Sequence, residues 1–152
     1  VPRFALACFL ERQTVGAVLE LTSLPLHVTL IGGFEFDGDP DALAAALPPS
    51  TVVELVTGAD ELFGPERDIP VTIFAEEAEI HMVHVNVLDA VLRLGARIES
   101  PEYVGDGFRP HITITGRDRV RAGERVRLES MSLLELDATR ARVIANVPFG
   151  VV

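Results

Sequence analysis

The tetrapeptide His27-Val28-Thr29-Leu30 recurs as His111-Ile112-Thr113-Ile114, so this chain of 152 residues carries two copies of one chemical unit. In each copy an apolar residue separates His from Thr, and on a strand of period two the imidazole and the hydroxyl then share one face. Leu26, Val28 and Leu30, like Ile112 and Ile114, occupy the opposite face. A proline precedes each unit (Pro25, Pro110), and a glycine follows each at the same distance (Gly32, Gly116). The constraint is severe. Two strands must bury one face in a core while the other face looks into a cavity. The copies lie a little over half the chain apart, which predicts two similar lobes facing each other, each contributing one motif strand.

The rest of the chain is expected to build around those strands as one domain spanning residues 1–152. Phe4–Leu10 reads as a buried strand and Leu26–Phe34 as the first motif strand. Residues 14–21 suggest a short helix, weakened by Val15, Gly16 and Val18. Asp39 and Pro40 supply an N-cap and first position for a helix over residues 41–47. Strands follow at 51–57, continuing past a bulge at 58–60 to Phe63, and at 69–75. Between Glu76 and Leu94 the apolar period changes to that of a helix, with Gly95 as its stop. Residues 98–103 read as extended and 104–108 as a glycine-rich loop feeding the second motif strand, 110–116. A long strand over 126–137 and a last one over 142–149 complete the order. Strands of antiparallel character with helices grouped on one surface define an α+β fold.

A net charge of −10 argues against a long nucleic acid as partner, because such binding depends on neutralising many phosphates. The charge is unevenly placed, with three Arg against fourteen acids in residues 1–79 and ten Arg against nine acids beyond. Arg109 and Arg117 flank the second motif, where they can complement phosphate oxygens. Tyr103 and Phe108 flank the glycine-rich loop and can stack on a base. The single Cys8 sits in an apolar run and reads as core. No stretch approaches the ~20 apolar residues that span a bilayer, and the expectation is a cytoplasmic protein without membrane contact, monomeric by default.

Two histidines suit an in-line displacement at phosphorus. A neutral imidazole deprotonates the nucleophile and a protonated one supplies the leaving oxygen, while each Thr hydroxyl donates to a non-bridging oxygen. This arrangement requires neither metal nor cofactor. His81 and His84, near Glu76, Glu77 and Glu79, have a spacing reminiscent of metal ligands but no matched third ligand, and read as a solvated helix face.

The two tetrapeptides, and the longer string Phe108-Arg109-Pro110-His111-Ile112-Thr113-Ile114, resemble the 2H phosphoesterase superfamily in its RNA ligase-like and cyclic phosphodiesterase branches. The resemblance implies a bilobal, pseudo-twofold arrangement of two antiparallel sheets with flanking helices and a central cleft. It also implies metal-independent phosphodiesterase chemistry with His27 and His111 as the acid/base pair, Thr29 and Thr113 as phosphate-binding hydroxyls, and His111 favoured as base. With the acidic composition, the expected substrate is a cyclic-phosphate nucleotide, a cyclic dinucleotide or a short oligonucleotide. The competing expectation is a non-catalytic nucleotide-binding or sequestering module with the same cleft.

Overall fold

A computed structural model describes residues 1–116 and 118–150. The strands are β1 (Arg3–Phe9), β2 (Val18–Glu20), β3 (His27–Glu35), β4 (Val53–Phe63), β5 (Ile69–Phe74), β6 (Arg97–Ile98), β7 (His111–Thr113), β8 (Arg125–Leu128), β9 (Ser130–Leu136) and β10 (Arg140–Pro148), with helices α1 (Pro40–Ala46) and α2 (Ala78–Arg93). Nine strands form one curled antiparallel path in the order β2-β10-β9-β1-β3-β7-β5-β4-β8, and β6 lies beside β3.

About the β3–β7 junction the path nearly repeats itself, with five strands on one side and four on the other. β1 flanks β3 just as β5 flanks β7: Ala7, Cys8 and Phe9 face Thr29, Val28 and His27, while Val71, Thr72 and Ile73 face Thr113, Ile112 and His111. β3 and β7 meet through the pair Val28–Ile112, the same position of the two tetrapeptides. The pseudo-twofold axis therefore passes through that pair, and the two expected sheets are joined there into one hydrogen-bonded run.

One face of the curl packs on the helices. Phe4, Leu6 and Cys8 of β1 with Val28 and Leu30 of β3 meet Leu43 of α1 and Ile80, Val83, Val87 and Val91 of α2 in the main core. The alternate residues of β1, Ala5, Ala7 and Phe9, join Leu134, Ala141 and Val143 in a second cluster, covered by Ala17, Leu19, Leu21 and Leu24. Burial on both faces explains the unbroken apolar sequence of β1. Cys8 is buried as expected, and so are Phe34 near the end of β3 and Phe149 just after β10.

Local signals behave as their chemistry dictates. The Asp39 carboxylate accepts the Asp41 N–H at 2.9 Å and Pro40 opens α1. Gly95, at φ 95°, follows α2 in the left-handed conformation that ends helices. The register of β4 against β5 shifts between Thr57 and Asp60, at the expected bulge.

Five expectations change. Residues 18–20 form β2 on the edge of β10, followed by a 3-10 turn over Leu21–Ser23, instead of a helix. Burial of Leu19 and Leu21 on the second core overrides the local helical preference. Residues 97–103 hold the short β6 and a 3-10 turn over Pro101–Tyr103. The second motif strand is shorter than expected, His111–Thr113. The long strand at 126–137 is two strands broken at Glu129: β8 pairs with β4 in one lobe, and β9 with β1 and β10 in the other. Finally, His84 is not solvated. It is 0% exposed on the buried face of α2.

Candidate active site

The motif strands position their side chains through the Val28–Ile112 pair. Both of these residues are buried in the core, so the alternation of the pleat turns His27, Thr29, His111 and Thr113 to the opposite face, where all four are half-buried. In an antiparallel pair of this register His27 stands across from Thr113, and Thr29 from His111. The two histidines are then diagonal neighbours, with Cβ atoms about 7–8 Å apart by the geometry of such pairs.

Each imidazole is anchored in the same way. Nδ1 of His27 lies 2.8 Å from the Pro25 carbonyl oxygen, and Nδ1 of His111 lies 2.9 Å from that of Arg109. A carbonyl only accepts, so Nδ1 carries the proton in both rings and Nε2 holds the free lone pair. Each ring also rests against a phenylalanine: Phe9 at 5.4 Å from His27 and Phe63 at 4.8 Å from His111, the latter edge-on. Tautomer and orientation are thus fixed twice over, by the same device in each lobe.

The surroundings of the two histidines are unequal. A cleft of about 680 Å³ opens on Thr29 and His111, between the β4–β5 hairpin (Leu62, Phe63, Arg67) and the loop before β7 (Tyr103, Phe108, Arg109). The Arg109 guanidinium lies 4.8 Å from the centre of the Phe63 ring and pairs with Glu61 at 2.8 Å. Tyr103 is 61% exposed on the loop wall. Phe108 departs from the expectation of a base-stacking residue. Only 7% exposed, it lies flat on His84 with ring centres 3.9 Å apart, so that face of the ring is already occupied. Arg117 lies outside the described residues.

Solved structures share this architecture. No family model matches the chain, and no curated protein matches it in sequence. A crystal structure of a phosphoesterase superposes with a TM-score of 0.68 at 12% identity, covering 97% of this chain and 98% of its own. Escherichia coli LigT complexed with 3′-AMP gives a TM-score of 0.66 at 13% identity, covering 98% and 99%. A protein of Thermus thermophilus gives 0.58 at 18% identity, covering 97% of each chain. The chain shares the fold of that phosphoesterase and of LigT.

Within this shared fold, both motif histidines are pushed below their ordinary pKa. For His27 the main cause is burial, opposed by the Pro25 carbonyl and reinforced by the charge of His111. For His111 it is again burial, opposed by the Arg109 carbonyl and reinforced by the Arg109 guanidinium. His84 is lowered too, by burial first, against the pull of the Leu30 carbonyl. A histidine with a depressed folded value contributes stability above its unfolded value of about 6.5, and loses it as pH falls through the folded value. The carboxylates held low by their partners, Asp60 by Arg119 and Glu99 by Arg3, follow the same sign only below about pH 4. Thermal melting is therefore expected to weaken as pH falls below about 6.5, before any carboxylate step. His84→Gln and His27→Gln should each flatten that slope, and an unchanged slope in both would remove the histidines as its source.

Several residues of the site were not evident in the sequence. Phe63 and Arg67 come from a turn that reads as an ordinary hairpin. His84 was detectable, because Ile80, His84, Val87 and Val91 fall on one helical stripe. Among the described residues no three His, Cys, Asp or Glu side chains gather as a metal site, and no helix is long and apolar enough to cross a membrane.

Proposed function

We propose that this protein is a metal-independent 2H-type phosphodiesterase acting in the cytoplasm on a small nucleotide with a cyclic phosphate, a cyclic dinucleotide or a short oligonucleotide. The observation that carries the reading is the matched pair of imidazoles, each with Nδ1 tied to a carbonyl two residues upstream and Nε2 left for proton transfer. With a 2′,3′-cyclic phosphate, neutral His111 takes a proton from water as its oxygen bonds to phosphorus. Protonated His27 gives its proton to the ribose oxygen as the ring P–O bond breaks. The charge building on the non-bridging oxygens is met by Thr29 and Thr113, with Arg109 on the cleft wall. Tyr103 offers an exposed ring to the base. The complexes of LigT with 3′-AMP, NADP+ and ATP support a nucleotide in a cleft of this fold.

The test is incubation with 2′,3′-cyclic nucleotides, cyclic dinucleotides and short oligonucleotides in EDTA, followed by chromatographic separation of products. Turnover of one class supports the reading. Binding without product in every class overturns it in favour of a sequestering module.

Arg67 belongs to this site by position. It lines the cleft, has no ion-pair partner among the described residues, and holds a left-handed φ of 53° unusual for a side chain of its size. Arg67→Gly removes the charge and the strain together. The variant is expected to melt at an unchanged or higher temperature, since the relief of ~1 kcal/mol offsets the added chain entropy. Its KM should rise about tenfold, as for a lost charged hydrogen bond. An unaltered KM would place Arg67 off the substrate.

A further inference from the structure

His84 belongs neither to the repeated motif nor to the chemistry proposed for it, yet it touches what surrounds both. Its side chain is 0% exposed. Nδ1 lies 2.7 Å from the carbonyl oxygen of Leu30, the last residue of the first tetrapeptide. Nε2 accepts the backbone N–H of Gly105 at 2.9 Å. The ring stacks on Phe108, three residues before His111, with the planes 3° apart. One imidazole thus connects β3, α2 and the loop that forms a wall of the cleft.

Only one protonation state fits. The Leu30 carbonyl requires a proton on Nδ1, and the Gly105 amide requires a lone pair on Nε2. A second proton would set two donors against each other at Gly105, on a ring that is buried from solvent. Beyond the Gly105 bond the loop is tied to the rest of the fold by Phe108 in the main core and by Arg109 at Glu61 and Phe63. Two successive 3-10 turns shape it, over Pro101–Tyr103 and Gly105–Gly107, and Gly107 sits so close to the Glu102 carbonyl that a Cβ would collide with it. The titratable neighbour of the ring is His81 on α2, centred 5.9 Å away; Glu102 and Asp106 of the loop are exposed.

We propose that His84 is a positioning residue: neutral, it holds the loop of residues 101–109 in the shape that presents Tyr103 and Arg109 to substrate, and on protonation it releases that loop. The part that concerns substrate rests on the phosphodiesterase reading. The part that concerns the loop does not, and the experiment separates the two.

On the uniformly ¹⁵N-labelled protein, imidazole and amide resonances are followed from pH 8 to 5. His84 is expected as the Nδ1–H tautomer, titrating below the ordinary histidine range because of its burial. The amides of Tyr103, Gly105 and Arg109 should shift with the midpoint of His84, while that of Thr139, in the distant β9–β10 turn, should not. A loop indifferent to His84 protonation, or an Nε2–H tautomer, overturns the proposal. In steady-state assays on a 2′,3′-cyclic nucleotide, His84→Gln, which keeps a donor and an acceptor, should retain a near-normal KM. His84→Leu should raise KM about tenfold with kcat within a factor of two. Equal loss of kcat in both variants would also overturn it. If the resonances behave as stated and no nucleotide is turned over, the phosphodiesterase reading fails and the loop anchor stands. Because the titration uses the unmodified protein, a His84→Leu variant that does not fold leaves the decision intact.

Discussion

Alanine at His27 or at His111 is expected to lower kcat on a 2′,3′-cyclic nucleotide by about 10²–10⁴-fold, the range supplied by a positioned general acid or base. Under the proposed mechanism the effect should fall on kcat more than on KM, with both rings acting in proton transfer and the cleft walls in binding. The two losses should not add, since with one imidazole gone the other has no complementary partner. The pH profile gives a second check. Burial pushes both rings below their ordinary pKa, so the basic form persists to lower pH than for a free histidine and the acid limb of kcat/KM should be displaced downward. Full activity in either single variant would remove that histidine from the mechanism. Far-ultraviolet circular dichroism of each variant should match the parent, because neither ring belongs to the core.

Phe34→Ala is expected to produce the largest loss of stability. Phe34 is 0% exposed, lies 5.9 Å from the ring of Phe4, and pairs with Phe4 of β1 and Ile98 of β6 on either side. Truncation there removes the transfer energy of an aromatic ring and leaves a void that two flanking strands hold open, a cost of about 3–5 kcal/mol. For a domain of this size the midpoint of thermal unfolding should fall by about 10 °C. A shift of only about 1–2 °C would mean that β3 collapses readily onto the space. β3 carries His27 and Thr29 at its other end, so the variant also reports whether the site tolerates a loosened support.

The features legible in the sequence are those that depend on period and local chemistry. Parity alone turned His27 and Thr29 away from Val28, and the cap at Asp39, the bulge near Gly58 and the stop at Gly95 follow from residue type. What stayed hidden depends on which strands meet. Val126 and Leu128 alternate with polar residues just as Met131 and Leu133 do, and the slip of apolar parity between Leu128 and Met131 marks the break at Glu129 without telling which lobe each piece joins. Leu19 looks like part of a weak helix until β10 offers it an edge. Phe108 reads as a loop aromatic because its partner, His84, is 24 positions away on another element. The cleft wall formed by Phe63 and Arg67 belongs to the same class: a hairpin's address in the sheet is set by long-range pairing.

The crossing at Glu129 bears on how this protein comes to exist during synthesis. The lobe that holds the first motif contains β1 and β3 from the start of the chain, and also β9 and β10 from near its end. Until those last strands leave the ribosome, β1 presents an unpaired edge and an uncovered apolar face. The half that carries the first motif cannot close until β9 and β10 arrive, whereas β4, β5, β7 and β8 of the other half all precede them in the chain. Such non-local pairing makes folding slow and leaves the nascent chain reliant on protection from aggregation.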